Sequence, residues 1–204
     1  MMAMNKISAH TTDTPVSSKD NPTRQRIIDA ALACLDRWGL EKTSLHDIAR
    51  EAGVTRPTVY SYFANREEVI QAAMIHGGES FGHKLLAHVH RFVGHRERLL
   101  EAVLFAWKNM PQEPYLKLVK DAGLAHMINE QAITSIAGRE ICRGLFQEIL
   151  QNDPKYQKEL DEITEVTTRF LLSLLLVEGA IKRNDKQMRA FLERRLMPAL
   201  GMAH

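Results

Sequence analysis

Apolar residues recur at spacings of three and four along most of the chain, and no stretch alternates with the period of two that marks a half-buried strand. The pattern predicts an all-α protein. Beyond Pro22, the residues Ile27, Ile28, Ala31, Leu32, Leu35 and Trp38 share one face of a first helix, and Gly39 offers a left-handed stop. Leu45, Ile48, Ala49 and Ala52 form the inner face of a short second helix, capped by Thr43 or Ser44 and closed by Gly53. A third short helix follows at once. Thr55 caps it, Pro57 is tolerated in its first turn, and Val59 and Phe63 face inward while Arg56, Thr58, Tyr60 and Tyr62 are left free. Asn65 then opens a fourth helix as a capping box with Glu68, and the pattern continues to about Phe92. Further helices are predicted over Arg96–Met110, Glu113–Ala122, Leu124–Leu150, Pro154–Ile181 and Asp185–Leu200.

The second and third helices are joined by a turn of about three residues around a glycine, which is the helix-turn-helix arrangement. Ala49 is small where the two helices cross, Gly53 takes the positive φ that the tight turn requires, and Val54 plugs the corner. The string Thr43-Ser44-Leu45-His46-Asp47-Ile48-Ala49-Arg50-Glu51-Ala52-Gly53-Val54, followed by Thr55-Arg56-Pro57-Thr58-Val59-Tyr60-Ser61-Tyr62-Phe63-Ala64-Asn65-Arg66-Glu67, closely resembles the TetR family of bacterial regulators in order and spacing. Tyr62 stands where that family commonly has His, and Arg66 where it commonly has Lys; both keep hydrogen-bonding or charge capacity. The resemblance covers about the first quarter of the chain after the opening segment. It implies a sequence-specific, double-stranded-DNA-binding transcriptional regulator that is not an enzyme. It divides the chain into a flexible tail (1–21), a three-helix DNA-binding domain (22–66) and a helical effector-binding and dimerisation domain (67–204).

A recognition helix enters the major groove with its N-terminal residues towards base edges, which makes Thr55, Arg56, Pro57 and Thr58 the specificity candidates. The planar fork of Arg56 can bond guanine O6 and N7 together; Thr58 can donate to a base or pack its methyl on thymine, and Pro57 offers an apolar contact. Tyr60 and Tyr62 are hydroxyl-bearing aromatics suited to phosphate oxygens and resemble the family's phosphate contacts. The fourth helix presents free amides and the Arg66 cation to a phosphate, and Thr43 and Ser44 give the second helix a similar cap. Lys42, Arg24 and Arg50 are further backbone candidates.

Behind this head the chain carries large apolar side chains, and for most of them filling a core is explanation enough. The resemblance implies a pocket among these helices, for which Trp107 and Met110 are apolar candidates and His126 and Arg169 polar ones, fitting an apolar or aromatic effector. The run Phe170 to Val177 is apolar around the whole helix, so one face meets its own core and the other a partner subunit. With the last helix it predicts a four-helix bundle across a two-fold axis, and Leu171, Leu175, Phe191 and Leu192 are the interface candidates. Such a homodimer reads an inverted-repeat operator. The resulting expectation is a repressor released by a small effector, the alternative being a regulator of the same fold without one.

Composition changes this picture little. With 45% hydrophobic and 25% charged residues the chain is an ordinary globular sequence, and its net charge of +2 does not announce a nucleic-acid binder. From Lys19 to Ala72 eight cations face eight anions, so DNA affinity depends on where the charges sit. The opening 21 residues are polar and lack the apolar stretch of a secretory signal, and the longest apolar run is far short of a membrane span, which predicts a cytoplasmic protein. Cys34 and Cys142 form no paired motif and read as reduced thiols. His76, His83 and His90 lie seven apart, about 10.5 Å per step along a helix, too far for one metal ion, and no cofactor is expected. No nucleophile elbow, phosphate loop or HExxH motif points to an enzyme.

Overall fold

A computed structural model describes residues 21–113, 136–177 and 179–202, and every regular element among them is helical. Asn21 opens α1 (Pro22–Lys42) by accepting from the Thr23 N–H at 2.9 Å, with Pro22 in the first turn where its missing N–H is not needed. Gly39, at φ 77° and ψ 173°, breaks the helix where the stop was predicted, and one further turn follows it to Lys42. Ser44 then caps α2 (Leu45–Glu51) in a capping box with Asp47. The turn that ends α2 is a Schellman motif: the Gly53 N–H bonds Arg50 O at 3.2 Å and the Val54 N–H bonds Ala49 O at 2.9 Å. Gly53 sits at φ 63°, where a side chain would be strained.

α3 (Arg56–Tyr60) begins at Thr55, and α4 (Arg66–Val89) begins at Asn65, whose side chain accepts from the Glu68 N–H at 2.8 Å. The predicted reciprocal bond of that second box is displaced by one residue. Glu68 takes the Ala64 N–H at 2.6 Å instead of its neighbour's. The apolar faces of α1 to α3 and the first two turns of α4 close a small core around Phe63, Ile27, Leu35 and Ile48, all nearly inaccessible to water. Each such side chain contributes about 1.5–3 kcal/mol by leaving water.

The body follows with α5 (His95–Asn109), a 3-10 turn (Met110–Gln112), α6 (Ile136–Ile149), α7 (Pro154–Gln157), α8 (Leu160–Leu176) and α9 (Asp185–Ala199). α5 packs on α4, α6 against both, α8 on α5 and α6, and α9 on α5. Leu99, Leu100, Ile149, Leu160, Leu192 and Leu196 lie at the centre of this second core. Met74 touches both cores, so α4 is the rod that joins head to body.

One expectation needs correction. The helix predicted over Pro154–Ile181 is two helices that stop at Leu176: Glu159 leaves helical geometry at φ −107°, ψ 3°, as Leu160 turns into the core, and Val177 is extended. The apolar run on α8 turns Leu172 and Leu175 into its own core and leaves Ser173 and Val177 exposed. The helix predicted over Glu113–Ala122 lies, apart from its first residue, outside the described residues, as does the first half of that over Leu124–Leu150. No described helix is long and apolar enough to cross a membrane.

Candidate nucleic-acid interface and body cavity

The Schellman turn sets α3 against α2, and Val59, fully buried, pins its inner side. The outer side is left to Thr55, Arg56, Pro57 and Tyr60, all exposed. Thr55 and Thr58 are not independent: their hydroxyls bond each other at 2.8 Å, and Thr55 also accepts from the Thr58 N–H at 3.3 Å. Arg56 has no hydrogen-bond or ion-pair partner among the described residues. The anions that could have neutralised it are engaged elsewhere, Asp47 with Ser44 and Arg50, and Glu51 with Arg37 at 3.2 Å. The Ser44 hydroxyl holds the Asp47 carboxyl below the usual carboxylate range, helped by the Ser44 N–H and Arg50.

Three of the predicted contact residues are put to other uses. Thr43 is 1% exposed and donates its hydroxyl to Gly39 O at 2.7 Å, so Ser44 alone caps α2 and Thr43 offers nothing to a ligand. The Arg66 guanidinium turns inward. It donates to Thr43 O at 2.7 Å and to Leu40 O, and lies 3.6 Å from Glu67, which ties the start of α4 to the loop between α1 and α2. Tyr62 is half-buried against the head core with its hydroxyl donating to Asn21 Oδ1 at 3.4 Å, leaving Tyr60 as the outward tyrosine. Of the further cations, Arg24 lies over the Phe63 ring at 4.9 Å, Arg50 pairs with Asp47 at 3.0 Å, and Lys42 is exposed.

A cavity of about 500 Å³, open to one side, lies between α4, α5, α6 and α8. Met110 lines it as predicted; Trp107 does not, and instead borders a smaller space of about 450 Å³ beside His88, Glu101 and Arg189. Arg169 points away, paired with Glu165 at 2.8 Å on the surface, and His126 lies outside the described residues. Sequence reasoning missed Thr167, Thr168 and Cys142, which line the larger cavity. Thr167 is 1% exposed and its hydroxyl has no partner. A pair of threonines, Thr164 and Thr167, one turn apart on the buried side of an apolar helix was the available signal. Burial pushes the Cys142 thiol up, so it stays protonated, and both cysteines are free.

The interface candidates divide. Leu175 and Leu192 are buried in their own core, so a partner-facing role is withdrawn for these two, while Leu171 is half-buried and lines the cavity. Phe191 remains partly exposed, stacked on Phe170 at 5.8 Å between centroids, with the Arg183 guanidinium 4.1 Å from its ring. Val166, Phe170, Ser173 and Leu174 make the outer stripe of α8 at helical spacing, and Val177 continues it just past the helix end.

A capped helix, a glycine-bearing Schellman turn and a second capped helix with an outward arginine in its first turn define a helix-turn-helix head of the DNA-binding kind. Residues 27–73 match the family described as bacterial regulatory proteins, tetR family. Over these residues the chain is similar to that family. It is 52% identical over 52 residues to the HTH-type transcriptional regulator SrpR of Pseudomonas putida, a match covering 26% of this chain and 24% of SrpR. With the HTH-type transcriptional regulator AcrR of Shigella flexneri it shares 26% identity over 132 residues, 63% of this chain and 61% of AcrR. These matches thus span less than two thirds of either relative. Among solved structures, the TetR family repressor AlkX from Dietzia sp. has the same fold, with a TM-score of 0.65 and 17% identity over 90% of this chain and 97% of AlkX.

Proposed function

We propose that this protein is a sequence-specific transcriptional regulator, not an enzyme, that represses from an inverted-repeat operator as a homodimer in the cytoplasm and is released by a small apolar effector. The observation that carries the DNA-reading part is Arg56: exposed, unpartnered among the described residues, and in the first turn of the helix that a major groove would receive. Thr55, Pro57, Thr58 and Tyr60 surround it, and Ser44 caps the neighbouring helix end. On this reading the head comprises residues 22–66 and the effector-binding and dimerising body the remainder. AlkX, described as a repressor implicated in n-alkane biodegradation, shares this fold. The apolar cavity in the body favours an effector-responsive regulator over one without an effector.

Selecting DNA fragments with the purified protein and then comparing wild type with Arg56→Ala tests the reading. The expected result is an inverted repeat as the selected sequence and a loss of about 1–3 kcal/mol in discrimination against random DNA for the variant. Equal discrimination by both proteins would remove Arg56 as the base reader.

A further inference from the structure

Resting on the reading of the head as a DNA-binding unit and of the body as an effector domain, we infer that Arg66 is the positioning residue that couples them. It sets the placement of the DNA-reading helix, and an occupant at the head end of the body cavity acts on that placement through it. The backbone is the first argument. α1 is interrupted at Gly39, at φ 77°, so residues 40–43 are not carried by the unbroken helix before them. Thr43 directly precedes Ser44, the cap of α2, and α2 carries α3 and Arg56 through the Schellman turn. Whatever holds residues 40–43 therefore also holds Arg56.

Side-chain bonds hold that segment. The Thr43 hydroxyl donates to Gly39 O at 2.7 Å, while Arg66 donates from Nε to Thr43 O at 2.7 Å and from Nη2 to Leu40 O. The Arg66 bonds come from the first residue of α4, whereas α2 and α3 pack on α1 and on each other, and α1 is the helix of the head that packs broadly on α4. Two donors on one edge of a rigid guanidinium fix two carbonyls together, a geometry that an ammonium does not reproduce. The cavity supplies the coupling. Leu40 and Arg66 both line it, and Leu40 is the one described residue of α1 to α3 that does, so a hydrogen bond that orients the head lies in the cavity wall. An occupant wedged there parts that bond. α2 and α3 then sample placements in which Arg56 misses its base, and operator affinity falls with the competent fraction. Non-specific binding through phosphates tolerates those placements.

The test titrates the selected operator and random-sequence DNA, across a salt series, against the full chain as wild type and with Arg66→Lys, Gln71→Trp or both. Arg66→Lys keeps the charge and loses the fork. It should bind the operator about tenfold more weakly, bind random DNA as wild type does, and leave the salt slope unchanged. Gln71 lines the cavity, is exposed, and stands about 7.5 Å along α4 from Arg66, so a Trp there serves as a built-in occupant of the head end. Gln71→Trp should weaken operator binding about fivefold alone and no further in the Arg66→Lys background. A salt slope lowered by about one, with operator and random DNA weakened alike, would make Arg66 a phosphate contact and overturn the inference. Wild-type operator affinity in a folded Arg66→Lys would do the same. Gln71→Trp that binds as wild type does, or that weakens both backgrounds equally, would overturn the coupling to the cavity. Amide hydrogen exchange over residues 44–60 checks the same placement with the Arg66 side chain intact: it should be faster in Gln71→Trp than in wild type, and unchanged exchange counts against the coupling even if Arg66→Lys does not fold. If the wild type selects no DNA, the DNA-binding reading falls and takes the inference with it.

Discussion

Arg56 and Arg66 carry the same guanidinium on neighbouring helices and are put to opposite uses. Arg56 is held out on α3 with its donors free, whereas Arg66 is a clamp whose donors meet main-chain carbonyls at the end of α1 and the start of α2. Arg66→Ala should therefore cost about 1–3 kcal/mol, because two carbonyls lose their partner. Denaturant titration measures it, and a loss of DNA affinity with unchanged stability would return Arg66 to the DNA surface. His88 makes a second residue-scale prediction. Its Nε2 lies 3.0 Å from Glu101 Oε2 and its Nδ1 meets an Arg91 N–H, a pair satisfied only by a neutral imidazole that donates from Nε2 and accepts at Nδ1. Burial first and the Arg91 charge second push its pKa below the ordinary 6.5; the opposing pull of Glu101 is weakened because Arg189 already binds that carboxylate. The unfolded chain thus takes up the proton at higher pH than the folded one, so stability is lost as pH falls from about 6.5 towards the depressed folded value. Thermal midpoints between pH 7.5 and 5.5 should fall more for wild type than for His88→Gln, whose amide does not titrate.

At the scale of the element, α4 is the part on which head and body both depend. It runs unbroken from Arg66 to Val89 through Gly77 and Gly78, so the pair does not kink the helix in this state. Gly77 is buried, but a Cβ at Gly78 would meet nothing within 4 Å, so packing does not demand glycine there. Gly78→Ala should therefore stabilise the protein by up to about 1 kcal/mol, read as a raised thermal midpoint. If the pair is instead kept for bending, replacing both glycines should also shrink the effector's influence on operator binding. The ratio of operator affinities with and without effector decides it; an unchanged ratio would leave the pair without a hinge role.

For the whole molecule, the prediction concerns assembly. Val166 and Val177, 41% and 65% exposed, stand on the outer stripe of α8 with Phe170 and Leu174 between them, and Phe191 of α9 lies alongside. A two-fold contact through this stripe would cover it and set two heads on half-sites about 34–36 Å apart, or a multiple of that spacing. The double variant Val166→Glu, Val177→Glu should stay folded, sediment as a monomer and bind the operator about a hundredfold more weakly, through lost bivalency. A wild type that sediments as a monomer at micromolar concentration would sink the proposal. A charge at Leu175 would not report on this contact. At 6% exposure, Leu175 belongs to its own core, and a buried charge there unfolds the protomer before it reports on any interface.

Local rules sufficed for the head. Caps, turn glycines and three-four spacing act within a few residues, so Ser44, Gly53, Thr55 and Asn65 could be read as structure before any coordinates, and Arg56 followed from its place in the first turn of α3. What hydrophobic periodicity cannot state is which neighbour an apolar or polar face meets. Leu171, Leu175 and Leu192 look alike in sequence, yet one lines a cavity and two fill a core, because the packing of α8 against α5 and α6 and of α9 against α5 decides it. The same holds for Thr43, Arg66 and Tyr62, whose partners Gly39, Leu40 and Asn21 come from the last turns of α1 or from its N-cap. Spacing along the chain selected the elements and the candidate DNA-reading residue; contacts between elements selected the clamp, the cavity and the outer stripe, since those are set by distances that only the folded chain brings about.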